Sequence, residues 1–292
     1  MAWPVALGVV HVVLKDGFSA VLPQIGSIRH VHHLNCGTFT PVGIPECVTH
    51  ILALEFDHGL VLVDVGLGQQ DVAHPIRGLG QALRAVRPRL RGADTAIQQL
   101  AGLGFTADDV VGIIATHLDY DHISGALDFP TAPVHLTVTE LFAAARRPGI
   151  RGRIRYRPHH LTAITSRAHT YAPDDAIPIM NFHGHPLTAS GDLFLIPLPG
   201  HTAGHAAVAI RDPHQRDRWL IHAGDAFLHH TALTSASDAS MDRVERMLAM
   251  DPSNLAHNHA ALRAAADQGH LVICSHDRDQ YEHLAAAGNP RR

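Results

Sequence analysis

Short apolar runs rich in β-branched residues recur along the chain: "THILALEF", "LVLVDVG", "VVGIIATH", "APVHLTV", "LFLIPLPGH", "RWLIHAGD" and "LVICSHD". Their length and composition predict buried strands. Between them, residues 78–103 carry spaced Leu, Val and Ile among Arg and Gln and predict helix, and "TADD" at 106–109 is a short helix start. The Ala- and Leu-rich stretch from Met241 to Gln268 predicts one or two amphipathic helices. Alternating strands and helices imply an α/β layered fold, organised as one domain over 1–292. Residues 146–190 break the pattern: Pro, Gly, Arg and His dominate without a sustained period, which predicts an inserted loop or lid region. The opening "MAWPVALGVVHVVLKDG" lacks a basic flank and is too short to span a bilayer, so it reads as a strand, with a signal peptide as the alternative. The closing "AAAGNPRR" should fray.

The strand ends carry the chemistry. "LVLVD" ends on Asp64, "IIATH" on His117, "LIPLPGH" on His201, "LIHAGD" on Asp225 and "VICSH" on His276. Any one of these is an ordinary turn residue, but strands side by side would gather all of them into one crevice. Such a gathering of His and Asp points to a metal or catalytic site. Within "HLDYDH" an extended backbone would put His117, Asp119 and Asp121 on one face and turn Leu118 and Tyr120 into packing. Two carboxylates beside a buried sheet repel unless a cation neutralises them. His and Asp without Cys favour zinc, iron or manganese over magnesium or calcium.

Composition sharpens that picture. The 26 histidines outnumber the 23 Lys plus Arg, and imidazole is the commonest metal ligand. A net charge of -4 offers no basic field for nucleic acid, and no membrane partner is expected. The three cysteines are odd in number and form no CxxC pair, which argues against a disulfide framework or a thiolate zinc site and suits the cytoplasm. The expected partner is a small-molecule substrate; a homodimer is left open.

In order and context, "THLDYDH", "PGHTAGH", "HAGD" and "CSHD", preceded by "LVLVDVGLG", resemble the five motifs of the metallo-β-lactamase superfamily of metal-dependent hydrolases. The match runs from about Gly37 to His283, and "PGHTAGH" and "ICSHDRDQY" look most like the lactonase branch. The resemblance implies a four-layer αβ/βα sandwich with a dinuclear site at one edge. His117, Asp119 and His201 would hold one divalent ion, Asp121, His122 and His276 the second, and Asp225 would bridge them. Zinc is favoured, with iron or manganese as alternatives. Asp64 would orient the ligand loop through hydrogen bonds, and His205 would be a structural hydrogen bonder. A hydroxide held between the metals would cleave an ester, lactone, thioester or similar carbonyl compound, with Asp121 orienting it and passing a proton to the leaving group.

Two departures stand out. The common HxHxDH motif is HxDxDH here, so Asp119 leaves the metal open and keeps a non-haem iron oxidoreductase, or a phosphodiester hydrolase, as alternatives. Leu228 stands where lactonases of this superfamily place a tyrosine, which makes His229 and His230 the candidate substrate contacts. In "RHVHHLNCG", His30, His32 and His33 could reach the site from an N-terminal hairpin. The Arg-rich "RGRIRYRPHH" reads as the solvated face of a lid, with binding of an anionic substrate group as the alternative.

Overall fold

Two mixed sheets face each other in the computed structural model, which describes residues 22, 25–78, 80, 82–234 and 239–288. The strand expected in the opening segment and the end of the tail expected to fray lie outside the described residues. The first sheet is built from β1 (Ile28–Phe39), β2 (Cys47–Phe56), β3 (Gly59–Val63), β4 (Pro88–Arg89), β5 (Val110–Ile114), β6 (Val134–Thr137) and β7 (Ala168–Tyr171), in the order β4-β1-β2-β3-β5-β6-β7. The second contains β8 (Ile177–Ile179), β9 (Phe182–Pro186), β10 (Leu193–Pro197), β11 (Ala206–Arg211), β12 (Trp219–His222) and β13 (Leu271–Ile273), in the order β13-β12-β11-β10-β9-β8. Strands β3, β5, β6 and β7 run parallel, as do β12 and β13.

The apolar runs are continuous because both faces of each sheet are covered. On β2, Leu52 and Leu54 enter the core between the sheets while Ile51 and Ala53 face the outer layer; on β3, Val61 and Val63 point inward and Leu60 and Leu62 outward. From the second sheet, Leu193, Leu195, Val208 and Ile210 complete the inner core. The outer face of the first sheet is covered by Ala96 and Leu100 of the helix Ala96–Gly102 and by Leu141 and Ala144 of the helix Val138–Arg146. Leu262 and Ala265 of the helix Pro252–Asp267 cover the second sheet. Helix, sheet, sheet, helix is the expected four-layer αβ/βα sandwich.

Two expectations need correction. Residues 78–103 are not one helix: the chain there breaks into short helices, Ala82–Val86 and Ala96–Gly102, around the edge strand β4. Nor is 146–190 a loop. It folds into the helices Gly149–Arg155 and Pro158–Thr165, then supplies β7 to the first sheet and β8 and β9 to the second. Tertiary packing of Tyr156 and Ile164, both fully buried, overrides the poor local helix propensity of Gly and Pro. Among the described residues no helix is long and apolar enough to cross a membrane.

Candidate metal centre

Asp64 follows β3 and His117 follows β5, while His201, Asp225 and His276 lie in the turns after β10, β12 and β13. Backbone bonds tie the two sheets together at this edge: Ala206 N–H donates to Thr116 O at 2.8 Å and His50 N–H to Ser275 O at 2.8 Å. The crevice is therefore held from both sides.

"HLDYDH" does not run on as an extended segment. Asp119 caps a short helix, Tyr120–Ile123, and its carbonyl accepts from the N–H groups of His122 and Ile123. The turn divides the motif. His117 and Asp119 converge with His201, whereas Asp121 and His122 converge with His276. Asp225 lies between: His276 Nε2 is 3.1 Å away, His122 Nε2 3.4 Å, His201 Nε2 3.4 Å and His117 Nε2 3.9 Å. All seven candidate ligands thus gather in one place, with Leu118 and Tyr120 turned into apolar packing as expected.

The imidazoles are aimed by hydrogen bonds on their far nitrogens. His122 Nδ1 donates to Asp64 Oδ2 at 2.8 Å and His276 Nδ1 donates to the Val48 carbonyl at 2.8 Å, which turns each Nε2 toward the centre. Asp64 also accepts from Thr116 N–H and Thr116 Oγ1, each at 2.8 Å, and Thr116 Oγ1 lies 2.9 Å from His117 Nδ1. To make these contacts Asp64 takes a left-handed backbone conformation, φ 57°, that L residues rarely adopt. His205 Nδ1 donates to Leu198 O, and its Nε2 accepts from Asp225 N–H at 3.0 Å, so it orients the central carboxylate's backbone. A Cβ on Gly224 would come within 2.6 Å of that Nε2.

Two residues that local sequence reading missed complete the centre. Glu140, fully buried, accepts from Leu118 N–H (3.0 Å), Thr202 Oγ1 (2.7 Å), Gly204 N–H (3.1 Å) and the Tyr156 hydroxyl (3.2 Å), joining the loops that carry His117 and His201. Gly204 must be glycine, since a Cβ would meet Glu140 N at 2.0 Å. The second is Arg155. Far from being solvated it is 7% exposed, and its guanidinium donates to Asp119 Oδ2, to His201 Nε2 at 2.8 Å and to the Leu248 carbonyl.

The donor set fits a cation. His117 Nε2, His122 Nε2, Asp119 Oδ1 and Asp225 Oδ1 are buried without a hydrogen-bond partner, and such atoms in a folded protein call for a ligand. Charge is distributed unevenly across the centre. Burial works against ionising Asp225, yet His276, His122 and His201 hold its carboxyl well below the usual range. Burial would lower His276, but Asp225 and Asp121 raise it to about 9, so this side draws positive charge. His201 goes the other way: burial and then the Arg155 guanidinium lower it to about 4.

Beside the centre a small cleft of about 170 Å³, open to solvent, is lined by Pro45, Glu46, Cys47, His229, Met241, His276, Asp277, Arg278 and Asp279. His229 lies on the cleft wall, with Nδ1 2.9 Å from Thr231 Oγ1; His230 instead turns to Asp277, Nδ1 to Oδ2 2.7 Å. Leu228 is buried. The N-terminal histidines do not reach the centre: His32 pairs with Glu55 at 2.9 Å and His33 with His50 at 2.9 Å, both across β1 and β2.

Residues 44–276 match the family model described as the metallo-beta-lactamase superfamily. A Mycobacterium tuberculosis protein named as a probable metallo-hydrolase is 40% identical over 277 residues, covering 92% of this chain and 87% of its own. An N-acyl homoserine lactonase of Bacillus thuringiensis is 25% identical over 164 residues, 54% of this chain and 56% of its own. Among solved structures, an N-acyl homoserine lactone hydrolase with N-hexanoyl-L-homoserine bound at its catalytic metal centre superposes with TM-score 0.66 at 18% identity, covering 88% of this chain and 96% of that one.

Proposed function

The chain belongs to the metallo-beta-lactamase superfamily, and from that premise we propose that it is a metal-dependent hydrolase of a small ester or lactone. The observation that carries this reading is the meeting of partnerless, buried His and Asp atoms with an open cleft at the same strand ends. Asp121, His122, His276 and Asp225 would hold a divalent cation, with zinc favoured by the imidazole and carboxylate donors and iron or manganese as alternatives. When bound, such an ion supplies Lewis acidity that brings the pKa of water toward neutrality.

The protein's own groups do the rest. Asp64 and Val48 O fix the tautomers of His122 and His276, so no reorganisation is needed at the centre. Asp121 is the carboxylate nearest the solvent side, its side chain 15% exposed against 4% for Asp225, and it accepts the proton of the attacking water and delivers it to the leaving alcohol. The cleft takes the acyl or alcohol portion, with His229 on its wall as a hydrogen-bond partner for a polar group. The three free thiols, Cys36, Cys47 and Cys274, suit a reducing compartment, the cytoplasm.

The test is a panel of lactones, carboxylic esters, thioesters and phosphodiesters, assayed with metal content measured on the same preparation. Turnover of lactones or esters is expected. Turnover of phosphodiesters alone would replace the carbonyl substrate with a phosphoryl one.

A further inference from the structure

His117 Nε2, Asp119 Oδ2 and His201 Nε2 form a three-donor cluster of the kind that binds a metal, yet a side chain already stands in it. Asp119 Oδ2 and His201 Nε2 are 3.2 Å apart, and one nitrogen, Nη1 of Arg155, is within hydrogen-bond distance of both. An ion ligated by the two would lie about 2.0–2.2 Å from each, pressed against a guanidinium nitrogen already bonded to both atoms. It would also need the Nε2 lone pair to which Nη1 donates.

Arg155 is not placed there loosely. It ends the helix Gly149–Arg155, its Nη2 donates to Leu248 O, and one turn earlier Arg151 Nη1 donates to Ala249 O at 3.0 Å. A guanidinium does not lose its proton to make room for a second cation. Its side chain would have to leave a buried position bonded on three sides.

The other half of the centre is different. Among the described residues no Arg or Lys ion pair is made by Asp121, His122, His276 or Asp225, and His122 Nε2 and Asp225 Oδ1, like Asp119 Oδ1 on the first side, have no hydrogen-bond partner. His117 Nε2, also without one, falls in a common cluster with His122 and Asp225 and is able to join that side.

We infer that the Arg155 guanidinium takes the place of one of the two cations implied by the sequence resemblance, so that the chain binds a single divalent ion, at Asp121, His122, His276 and Asp225. The inference rests on the reading that this centre binds divalent cations at all. It also accounts for the aspartate at position 119: a carboxylate pairs with a guanidinium, and a histidine there would not neutralise it.

The experiment is ion stoichiometry on the full chain, stripped with chelator, reloaded with Zn²⁺ and read by elemental analysis, for the native protein and for Arg155→Met, which keeps the bulk of the side chain and removes its charge. One ion per native chain and two per variant chain are expected. Two ions in the native protein would overturn the inference, as would one ion in both, because something other than Arg155 would then exclude the second. No ion in either would sink the metal-centre reading itself, and the inference with it. Should Arg155→Met fail to fold, native protein loaded with Mn²⁺ decides by electron paramagnetic resonance: an uncoupled single-ion spectrum is expected, and a spin-coupled pair contradicts it.

Discussion

His122 Nδ1 and Asp64 Oδ2 are 2.8 Å apart, both fully buried, and through this bond β3 sets the angle at which the imidazole after β5 meets the centre. Asp64→Ala should therefore weaken cation binding by about 10–100-fold without abolishing it, as for other outer partners of ligating histidines. Competition titration against a chromophoric chelator measures the change. Asp225→Ala, which removes the central carboxylate, should lose more affinity; equal losses would place Asp64 among the ligands.

Glu140→Gln tests the brace between the His117 and His201 loops. The amide nitrogen would confront at least one of the donors Thr202 Oγ1, Gly204 N–H and Leu118 N–H, each of which now meets a carboxylate oxygen. A loss of about 2–3 kcal/mol is expected for the buried donors left unsatisfied. Urea unfolding of the two forms in the presence of chelator reads it without the metal; a change below about 0.5 kcal/mol would mean that the brace is not structural.

Asp119→Ala should cost stability as well as altering the centre. The variant leaves the Arg155 guanidinium buried with no carboxylate, and breaking a buried pair from one side costs about 3–5 kcal/mol. The double variant Asp119→Ala with Arg155→Met should recover part of that loss. Additive losses in denaturant midpoints would show that the two side chains are not coupled.

Acid should destabilise the fold in part through His135, which belongs to none of the candidate ligand clusters. Burial, with His169 beside it, lowers the His135 pKa to about 3, whereas in the unfolded chain it titrates near about 6.5. The folded value is the lower one, so the unfolded state binds more protons between the two. This contribution is present above about pH 6.5 and is lost as pH falls toward 3. His135→Met gives up the hydrogen bond to Tyr171, about 1 kcal/mol at neutral pH, but its stability should fall less steeply by about 1.4 kcal/mol per pH unit between roughly pH 6 and 4. Parallel stability profiles for the two proteins would contradict this.

The strand-end residues gathered at this edge were legible in the sequence because each follows an apolar run that reads as a buried strand, so position along the chain translates directly into position at the sheet edge. Asp64, His117, His201, Asp225 and His276 are all found this way. Arg155 and Glu140 were not, since their partners are far away in sequence: Asp119 and His201 for one, Leu118 and Thr202 for the other. Arg155 sits among other arginines and glycines that read as surface, yet it is buried beside the fully buried Tyr156. Glu140 had a signal with a different meaning. "TVTE" reads as a capping box, and Thr137 Oγ1 does accept from Glu140 N–H at 3.2 Å, but the carboxylate turns to the ligand loops. Short strands such as β7 to β9 were hidden because Pro, Gly and His obscure a period that runs for only a few residues.

Hydrolysis of a carbonyl substrate at this centre is tested by removing and restoring the ion while following one lactone or ester identified by the panel. Chelator-stripped protein should be inactive on it. Activity should return in proportion to bound Zn²⁺, Fe²⁺ or Mn²⁺, and Asp121→Asn, a variant expected to keep its fold, should bind the ion more weakly and remain far below native turnover even when fully loaded. Undiminished turnover by metal-free protein, or by fully loaded Asp121→Asn, would contradict the account.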